Sequence, residues 1–234
     1  MQNSAESIVS LNEVWLVLES QAGPVEILRG VDLDVKAGES VCISGPSGAG
    51  KTSLMMIIGG LERATRGNAL VAGHDLSRLN EDTLAKYRRD RIGIVFQSFH
   101  LIPTMTALEN AALPLELAGE PDAVDRAQQS LAYVGLEKRW HHYPSQLSGG
   151  EQQRVAIVRA LISQPDLILA DEPTGNLDAT NSVKLMNLLF DLCGESGATL
   201  LLITHQSDLA SRCDRQVNMS DGRIIVPADA PVVT

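Results

Sequence analysis

The segment GPSGAGKT, residues 45–52, joins a strand-like stretch to a helix-like one. Glycines in such a loop allow successive backbone N–H groups to surround an anion, and the positive end of the following helix adds to the attraction. Lys51 can reach the β- and γ-phosphates of a nucleotide, and the Thr52 hydroxyl can bind Mg²⁺. A glycine-rich turn with an exposed lysine is the alternative, but the Gly-x4-Gly-Lys-Thr spacing favours a phosphate site.

Two adjacent carboxylates end the apolar segment LILADE, residues 167–172. Successive side chains of a strand point in opposite directions, so we expect Asp171 and Glu172 to address different atoms. Asp171 suits the coordination shell of Mg²⁺, and Glu172 suits a water molecule in line with the γ-phosphate. A pair of solvated carboxylates is the alternative, and the presence of the phosphate loop favours catalysis over it.

Single polar residues follow two other strand-like segments: Gln97 follows IGIVF and His205 follows LLLIT. Ligands of open α/β sheets gather beyond the carboxyl ends of the strands. Taken alone, each would be an ordinary polar residue of a loop. Together with the phosphate loop, both are predicted to sense the γ-phosphate, the metal or the attacking water.

The segment LSGGEQQRVA, residues 147–156, places two glycines at the start of an expected helix. Ser148 and Glu151 form the Ser-x-x-Glu pattern of a capping box, which predicts that Ser148 opens the helix. The cap does not explain Gly149 and Gly150, which weaken a first turn by about 1 kcal/mol each relative to alanine. Bare backbone at a helix N-terminus suits close approach of an anion, so this is a second candidate anion site.

The elements that must position these residues alternate between strands and helices. ESVCIS, RIGIVFQ, DLILADE and TLLLITH are strand-like and are separated by helical segments, which indicates βαβ units and a mostly parallel sheet. Upstream, IVSLNEVWLVLE and the alternating GVDLDVK predict a small antiparallel layer with one wet face. The predicted fold is therefore α/β, with a P-loop NTPase core, an N-terminal antiparallel β layer and an inserted helical lobe.

No strand is expected between Gln97 and Leu147, where TALENAALPLELAG and AVDRAQQSLAYVGL have helical patterns. Four prolines are expected to break this region: Pro103, Pro114, Pro121 and Pro144. We predict a single domain. The expected boundaries are 1–97 and 148–226 for the α/β core, 98–147 for the helical lobe and 227–234 for a tail.

Composition restricts the classes of function. The 234 residues carry a net charge of −10, which disfavours nucleic acid as a partner because its binders usually present a basic surface. The longest apolar stretches are too short to cross a bilayer and no signal segment is evident, so we expect a cytoplasmic protein that does not itself insert into a membrane. Cys42, Cys193 and Cys213 form no zinc or disulfide pattern and are expected to be small buried hydrophobic residues.

GPSGAGKT, Gln97, LSGGEQ, LILADEP, GNLD and His205 occur in the order and spacing of the ATP-binding subunits of ABC transporters, and the resemblance extends over nearly the whole chain. FQSFHLIPTMTALENAALP is similar to the branch that contains LolD-type, MacB-type and YbbA-type ATPases. SGGEQQRVA, DEPTGNLD and LASRCDR most resemble the YbbA type. The resemblance implies an ATPase that converts ATP and water to ADP and phosphate with Mg²⁺, peripheral on the cytoplasmic face of a membrane, and drives a separate permease subunit.

In this family two subunits pack head to tail in an ATP-dependent dimer. The resemblance implies that Ser148, Gly149 and Gly150 of one copy contact the γ-phosphate held by the other, and that the apolar stretch Phe99–Pro103 is the dock of the permease. It also implies that Gln97 links the nucleotide to the helical lobe. The residues expected to bind nucleotide are Gly45, Pro46, Ser47, Gly48, Ala49, Gly50, Lys51, Thr52, Ser53, Ser148, Gly149, Gly150, Glu151 and Asp178. Those expected to act in catalysis are Glu172, His205, Lys51 and Gln97, and those expected to bind the metal are Thr52, Gln97 and Asp171.

One position departs from the family pattern. An aromatic ring usually stands where this chain has Leu18, and Trp15 lies at an odd offset that faces the other side of a regular strand. Trp15 would replace the missing ring only through a bulge or another register. Without the ring, weak discrimination between ATP and GTP is expected.

Two questions about function stay open from the sequence. The process that ATP drives is export, lipid or lipoprotein-type extraction, or mechanical coupling across the membrane. The alternative from another class is a nucleic-acid-associated ABC-type ATPase of repair or of chromosomes, which would need a coiled-coil insertion, a zinc module or a basic face. An ABC-type translation factor would normally carry two such heads on one chain.

Overall fold

The computed structural model describes residues 7–21 and 23–225, and the chain divides into two compact units. One unit contains residues 1–84 and 201–234, and the other contains residues 85–200. The tail expected at 227–234 lies outside the described residues.

The strands and helices alternate over most of the chain. The strands are β1 (Ser7–Ser20), β2 (Gly23–Lys36), β3 (Ser40–Ser44), β4 (Arg66–Val71), β5 (His74–Asp75), β6 (Ile92–Phe96), β7 (Leu167–Asp171), β8 (Thr199–Ile203), β9 (Arg215–Ser220) and β10 (Arg223–Ile225). The helices are α1 (Lys51–Ile58), α2 (Glu81–Arg91), α3 (Ala107–Ala118), α4 (Ala123–Tyr133), α5 (Gly149–Leu161), α6 (Ala179–Ser196) and α7 (Ser207–Ala210). Short 3₁₀ turns occur at Leu76–Arg78 and Pro144–Gln146.

The first unit contains the predicted antiparallel layer, in the strand order β2-β1-β4-β5. Val14 of β1 faces Val31 of β2, and both are buried, as the alternation of apolar residues requires. Gly30 has no partner in this register, because Trp15 pairs with Arg29, and it adopts a φ of 67°. The layer is therefore bulged rather than regular.

A parallel pair of strands in the same unit leads into the phosphate loop. β3 pairs with β9 in parallel, β10 returns antiparallel to β9, and Val41, Cys42 and Ile43 of β3 are fully buried. Burial on both faces is typical of strands in parallel sheets. β3 ends at Ser44, so the glycine-rich segment begins where the core strand stops.

The second unit contains a second parallel pair and a helical core. β6 and β7 pair in parallel over their whole lengths, with Phe96 opposite Asp171. Helices α3, α4 and α5 enclose a cluster of buried aliphatic side chains. Its fully buried members include Ala111, Ala127, Leu131 and Val155. No strand lies between residues 97 and 147, all of which the structure describes, as the sequence predicts.

Pro114 does not break its helix, contrary to expectation. It lies inside α3, where it removes the N–H group that would donate to the Asn110 carbonyl. The helix is fixed at its start by a capping box between Thr106 and Glu109, and at its end by Gly119 in the left-handed conformation. Capping and burial of its apolar face therefore outweigh the cost of the proline. Of the other three prolines, none lies inside a helix: one precedes α3, one lies between α3 and α4, and one begins the second 3₁₀ turn.

Cys42, Cys193 and Cys213 are free and buried, as predicted. Burial raises the pKa of the Cys193 thiol to about 12, and a hydrogen bond with Cys42 together with burial raises the pKa of Cys213. Because the thiolate is the reactive form, we expect a disulfide reagent at pH 8 to label the native protein at least about 100-fold more slowly than the urea-unfolded protein. Absorbance of the released thiol measures both rates. A fast phase in the native protein would contradict the burial.

Candidate active site

The phosphate loop ends at the N-terminus of α1, which has no side-chain cap. Gly50 is the N-cap residue, and its φ of 94° lies in the left-handed region that favours glycine. Gly50 makes no side-chain cap hydrogen bond, and the first N–H groups of an α-helix have no acceptor within the helix. This geometry suits a phosphate group, which would satisfy those donors.

Packing explains two of the loop glycines. A Cβ atom at position 45 would collide with the Met219 carbonyl, and one at position 50 would lie 2.9 Å from the Ile27 carbonyl oxygen. By contrast, a Cβ at Gly48 would meet no atom within 4 Å. Gly48 therefore stands on the open side of the loop, where a ligand can approach the backbone.

The Lys51 ammonium lies over the loop. Its Nζ donates to the carbonyl oxygens of Gly45 and Pro46, at 2.8 and 2.9 Å. Thr52 follows in the first turn of the helix and is exposed. The structure therefore places the Lys51 ammonium over the loop, at the start of the helix that carries Thr52.

The turn between β9 and β10 supports the phosphate loop from the far end of the chain. Gly222 N donates to the Ala49 carbonyl at 3.2 Å, and Arg29 N donates to the Gly222 carbonyl at 2.9 Å. Arg29 also forms an ion pair with Asp221, at 2.5 Å between Nη1 and Oδ2. The loop is thus hydrogen-bonded to this turn, which is in turn fixed to β2.

In the second unit, Asp171 and Glu172 stand at the end of β7. Leu167 to Ala170 are fully buried, and Asp171 is the last residue of the strand. Glu172 is not part of the strand, so the expected alternation does not set its direction. Its φ is 45°, and its carbonyl accepts from Gly175 N at 2.9 Å in a tight turn. The turn, rather than the strand, separates the two carboxylates.

Gln97 lies against the same turn. Asn176 Nδ2 donates to the Gln97 carbonyl at 2.9 Å, and a Cβ at Gly175 would lie only 2.7 Å from Gln97 Nε2. The structure therefore brings Gln97, Asp171 and Glu172 to one end of the β6–β7 pair. Gly175 and Asn176 are the residues that sequence reasoning missed. The sequence feature that could have identified them is their place in the segment GNLD, three to four residues after Glu172.

The capping box at α5 forms as predicted. Glu151 Oε2 accepts from Ser148 N at 2.8 Å and from Ser148 Oγ at 2.9 Å, and Glu151 N donates back to Oγ at 3.3 Å. A Cβ at Gly149 would make ordinary contact with Leu177 at 3.5 Å, whereas one at Gly150 would meet nothing within 4 Å. The first turn of α5 is thus a well-formed helix start whose backbone is open at Gly150.

Asp178 and His205 have different surroundings. Asp178 is the N-cap of α6: its carboxylate accepts from Asn181 N at 3.0 Å and from Asn181 Nδ2 at 2.6 Å. These bonds lower the pKa of Asp178 below its usual value. His205 follows β8 and is exposed. Asp178 therefore has a local role in starting a helix, besides any role toward nucleotide.

Trp15 does not take the place of the missing ring at Leu18. The bulge in the β1–β2 layer is present, but the Trp15 indole lies over Gly30, where a Cβ would be 3.3 Å from its Nε1. Leu18 pairs with Val25, and both are 45% exposed. The end of this hairpin therefore offers an aliphatic pair where the family pattern has an aromatic ring.

A family model described as ABC transporter matches residues 28–175. The chain belongs to the ABC transporter family. It is 45% identical over 222 residues to YbbA, an uncharacterised ABC transporter ATP-binding protein of Escherichia coli (strain K12), covering 94% of this chain and 97% of that one. It is 44% identical over 222 residues, with the same coverage, to the lipoprotein-releasing system ATP-binding protein LolD 2 of Caulobacter vibrioides.

Solved structures of an ABC cassette have the same fold. A dimeric structure of the ATP-binding cassette MJ0796 in a post-hydrolysis state, bound to ADP and Pi, is 41% identical, with a TM-score of 0.86 over 93% of this chain and 97% of that chain. A second dimeric structure of MJ0796, a bacterial ABC transporter cassette, gives the same values. The predicted α/β fold, the family and the class of ATP-binding, ATP-hydrolysing subunit are confirmed. Within residues 7–21 and 23–225, no helix of this ABC subunit is long and apolar enough to cross a bilayer.

Proposed function

We propose that two copies of this ABC subunit pack head to tail, so that the N-terminus of α5 in each copy faces the nucleotide on the phosphate loop of the other. The observation that carries this proposal is the open backbone at Gly150, where a Cβ would meet no atom within 4 Å although the cap beside it is tightly bonded. A helix N-terminus with room for an anion suits a γ-phosphate. The dimeric state of the related cassette MJ0796 supports it.

Light scattering in solution tests this arrangement. With ATP under conditions that prevent hydrolysis, the protein should change from the mass of one chain to that of two, and with ADP it should not. A mass of one chain at saturating ATP would contradict the proposal.

In the first unit, the phosphate loop binds the phosphates of the nucleotide, and Lys51 offsets their negative charge. The backbone N–H groups of residues 47–53 hold the β- and γ-phosphates, and the Lys51 ammonium stabilises the negative charge on the transferring phosphoryl group. His205 supports the γ-phosphate from the end of β8. Lys51 is already held over the loop by the Gly45 and Pro46 carbonyls, so little reorganisation is needed.

In the second unit, Glu172 orients and deprotonates the attacking water. Asp171 and Gln97 offer a carboxylate and an amide oxygen, which are among the oxygen donors that Mg²⁺ prefers. These residues would hold the ion, and the positive charge that it supplies when bound would offset the charge of the phosphates. Loss of the γ-phosphate removes the group that joins the two copies, and the dimer opens.

The expected dock at Phe99–Pro103 adjoins a groove in the second unit. Phe99 and His100 have φ values of 60° and 47°, an uncommon conformation for residues other than glycine. Arg159 holds it, donating to the Phe99 carbonyl at 2.9 Å and to the His100 carbonyl at 2.7 Å. Asn110, which is fully buried, accepts from Ile102 N at 2.7 Å and fixes the rest of the loop.

The groove combines apolar and basic side chains in a volume of about 310 Å³. Its walls include Arg88, Arg89, Ile94, Leu113, Leu117 and Arg159. Arg159 thus belongs both to the groove and to the support of the loop. We assign this face to the permease subunit, which places the ATPase at the cytoplasmic face of a membrane. The LolD relatives are named for lipoprotein release, which supports extraction of lipid-anchored substrates as the driven process.

Leu117, which is 68% exposed on α3, is expected to be critical for this docking. Leu117→Asp places a charge in an apolar contact, so co-purification of the permease from detergent-solubilised membranes should fall at least about tenfold. Leu70→Asp is the matched control, because Leu70 is 41% exposed in the first unit. Equal recovery of the permease with both variants would show that Leu117 does not contribute to the interface.

Leu18 predicts weak selection of the nucleotide base. Stacking on an aromatic ring is worth about 1–3 kcal/mol, and the Leu18–Val25 pair offers only aliphatic contact. We expect kcat/KM for ATP and GTP to differ by less than about tenfold, and Leu18→Tyr to lower KM for both nucleotides, because a ring stacks on either base. Steady-state phosphate release with each nucleotide measures the ratio. A wild-type preference of about a hundredfold for ATP would show that another contact reads the base.

A further inference from the structure

Arg139 links the capping box of α5 to His142. Glu151 uses Oε2 to close the box with Ser148, and its other oxygen, Oε1, accepts from Arg139 Nε at 2.9 Å. Arg139 Nη1 lies 3.3 Å from His142 Nε2. The loop is held by backbone bonds, since Arg139 N donates to the Leu136 carbonyl at 2.9 Å and His142 N donates to the Arg139 carbonyl at 3.0 Å.

The carboxylate of Glu151 is kept charged by these neighbours. Partial burial alone would raise the pKa of Glu151, but the backbone N–H of Ser148, the Arg139 guanidinium and the Ser148 hydroxyl outweigh it and lower the pKa. A negative charge in the first turn stabilises a helix. It also stands one residue from Gly150, where the backbone is open to a ligand.

The negative charge of Glu151 therefore has two opposing effects at the start of α5. The Glu151 carboxylate closes the cap and its negative charge stabilises the helix, whereas the same charge repels a triphosphate that approaches Gly149 and Gly150. Ser148 Oγ already occupies the N–H of Glu151, so the N–H groups of the two glycines are those left for a ligand. Arg139 is the cation in direct contact with the carboxylate, and a guanidinium keeps its charge at all working pH values.

We propose that Arg139 is a positioning residue for the nucleotide of the partner copy. It neutralises Glu151 and fixes the carboxylate against the cap, so that the start of α5 presents N–H donors to the γ-phosphate without a net negative charge. This rests on the proposed head-to-tail dimer. The side chains of Arg139 and Glu151 are 45% and 18% exposed, so the ion pair contributes little to folding, and its effect is on the approach of an anion.

A charge-compensation experiment tests the proposal. In a Glu172→Gln background, the ATP concentration that gives half-maximal dimer is measured by light scattering for Arg139→Gln, Glu151→Gln and the double variant. Glutamine at position 151 keeps the capping box but removes the charge. We expect Arg139→Gln to raise the half-maximal ATP concentration about tenfold, and the double variant to return to within about twofold of the parent.

Arg78→Gln is the control for Arg139→Gln. Arg78→Gln removes an arginine that is 84% exposed and paired with Asp75 in the first unit, and it should leave the half-maximal ATP concentration unchanged. If the double variant dimerises no better than Arg139→Gln, or if Arg139→Gln matches the parent, Arg139 does not act through the charge of Glu151 and the inference is overturned. A Glu172→Gln parent that stays monomeric at saturating ATP overturns the head-to-tail dimer itself, and this inference with it.

Discussion

Replacing Glu172 by glutamine is expected to lower ATP turnover at least about 100-fold while ATP binding is retained. The amide keeps the size of the side chain but does not accept a proton from water. Since the γ-phosphate is then not removed, closed dimers should accumulate with ATP. Phosphate release measures the loss of turnover, and light scattering measures the dimer.

Glu195→Gln is the matched control for this variant. Glu195 lies in the second unit, on α6, where its carboxylate accepts from the Tyr133 hydroxyl at 2.9 Å. The same chemical change there should leave turnover within about twofold of wild type. Normal hydrolysis by Glu172→Gln would assign the general base to another group.

Gly150→Leu is expected to reduce turnover about 100-fold without destabilising the chain, because small displacements of reacting groups carry penalties of this size. A Cβ at this position meets nothing within 4 Å in the single chain, and leucine is favoured over glycine in a helix by about 0.5–1 kcal/mol. The unfolding midpoint in urea should therefore stay equal or rise. The loss of turnover arises in the dimer, where the leucine side chain occupies the space that we assign to the γ-phosphate of the partner copy.

Gly194 supplies the control for this substitution. It also lies in a helix, α6, and a Cβ there would likewise meet nothing within 4 Å. Gly194→Leu should retain turnover and gain similar stability. If both variants hydrolyse ATP at the wild-type rate, the open backbone at Gly150 has no role in the reaction.

The elements that the sequence predicts well are those set by local rules. The capping box of Ser148 and Glu151 requires only residues three apart, and the helix after the phosphate loop follows from the spacing of the loop. Likewise, the buried β7 follows from a continuous apolar run. These features could be predicted because each depends on a few neighbouring residues.

Elements that depend on distant partners escaped prediction. β4 has two buried side chains, Ala69 and Val71, and is a strand because it pairs with β1. α2 is strongly polar and contributes Leu84 and Tyr87 to the core, too few for a clear helical period. A short segment of sequence does not predict pairing with distant residues or burial against them.

At the candidate site, the sequence selects candidate residues but does not give their direction. Glu172 is a catalytic candidate from its place after an apolar run, but nothing in the residue itself signals its left-handed turn. The same holds for Arg139 and Arg159, because loop conformation brings each arginine to its acceptors. Side chains that support a site from another loop therefore need the structure to be recognised.

The turn at Asp221 and Gly222 has a consequence for the order in which the protein matures. The phosphate loop is synthesised early, but the N–H that holds the Ala49 carbonyl and the carboxylate that pairs with Arg29 belong to residues near the other end of the chain. A nascent polypeptide therefore carries the whole glycine-rich motif before it has these contacts. They can form only after residues 221 and 222 have left the ribosome.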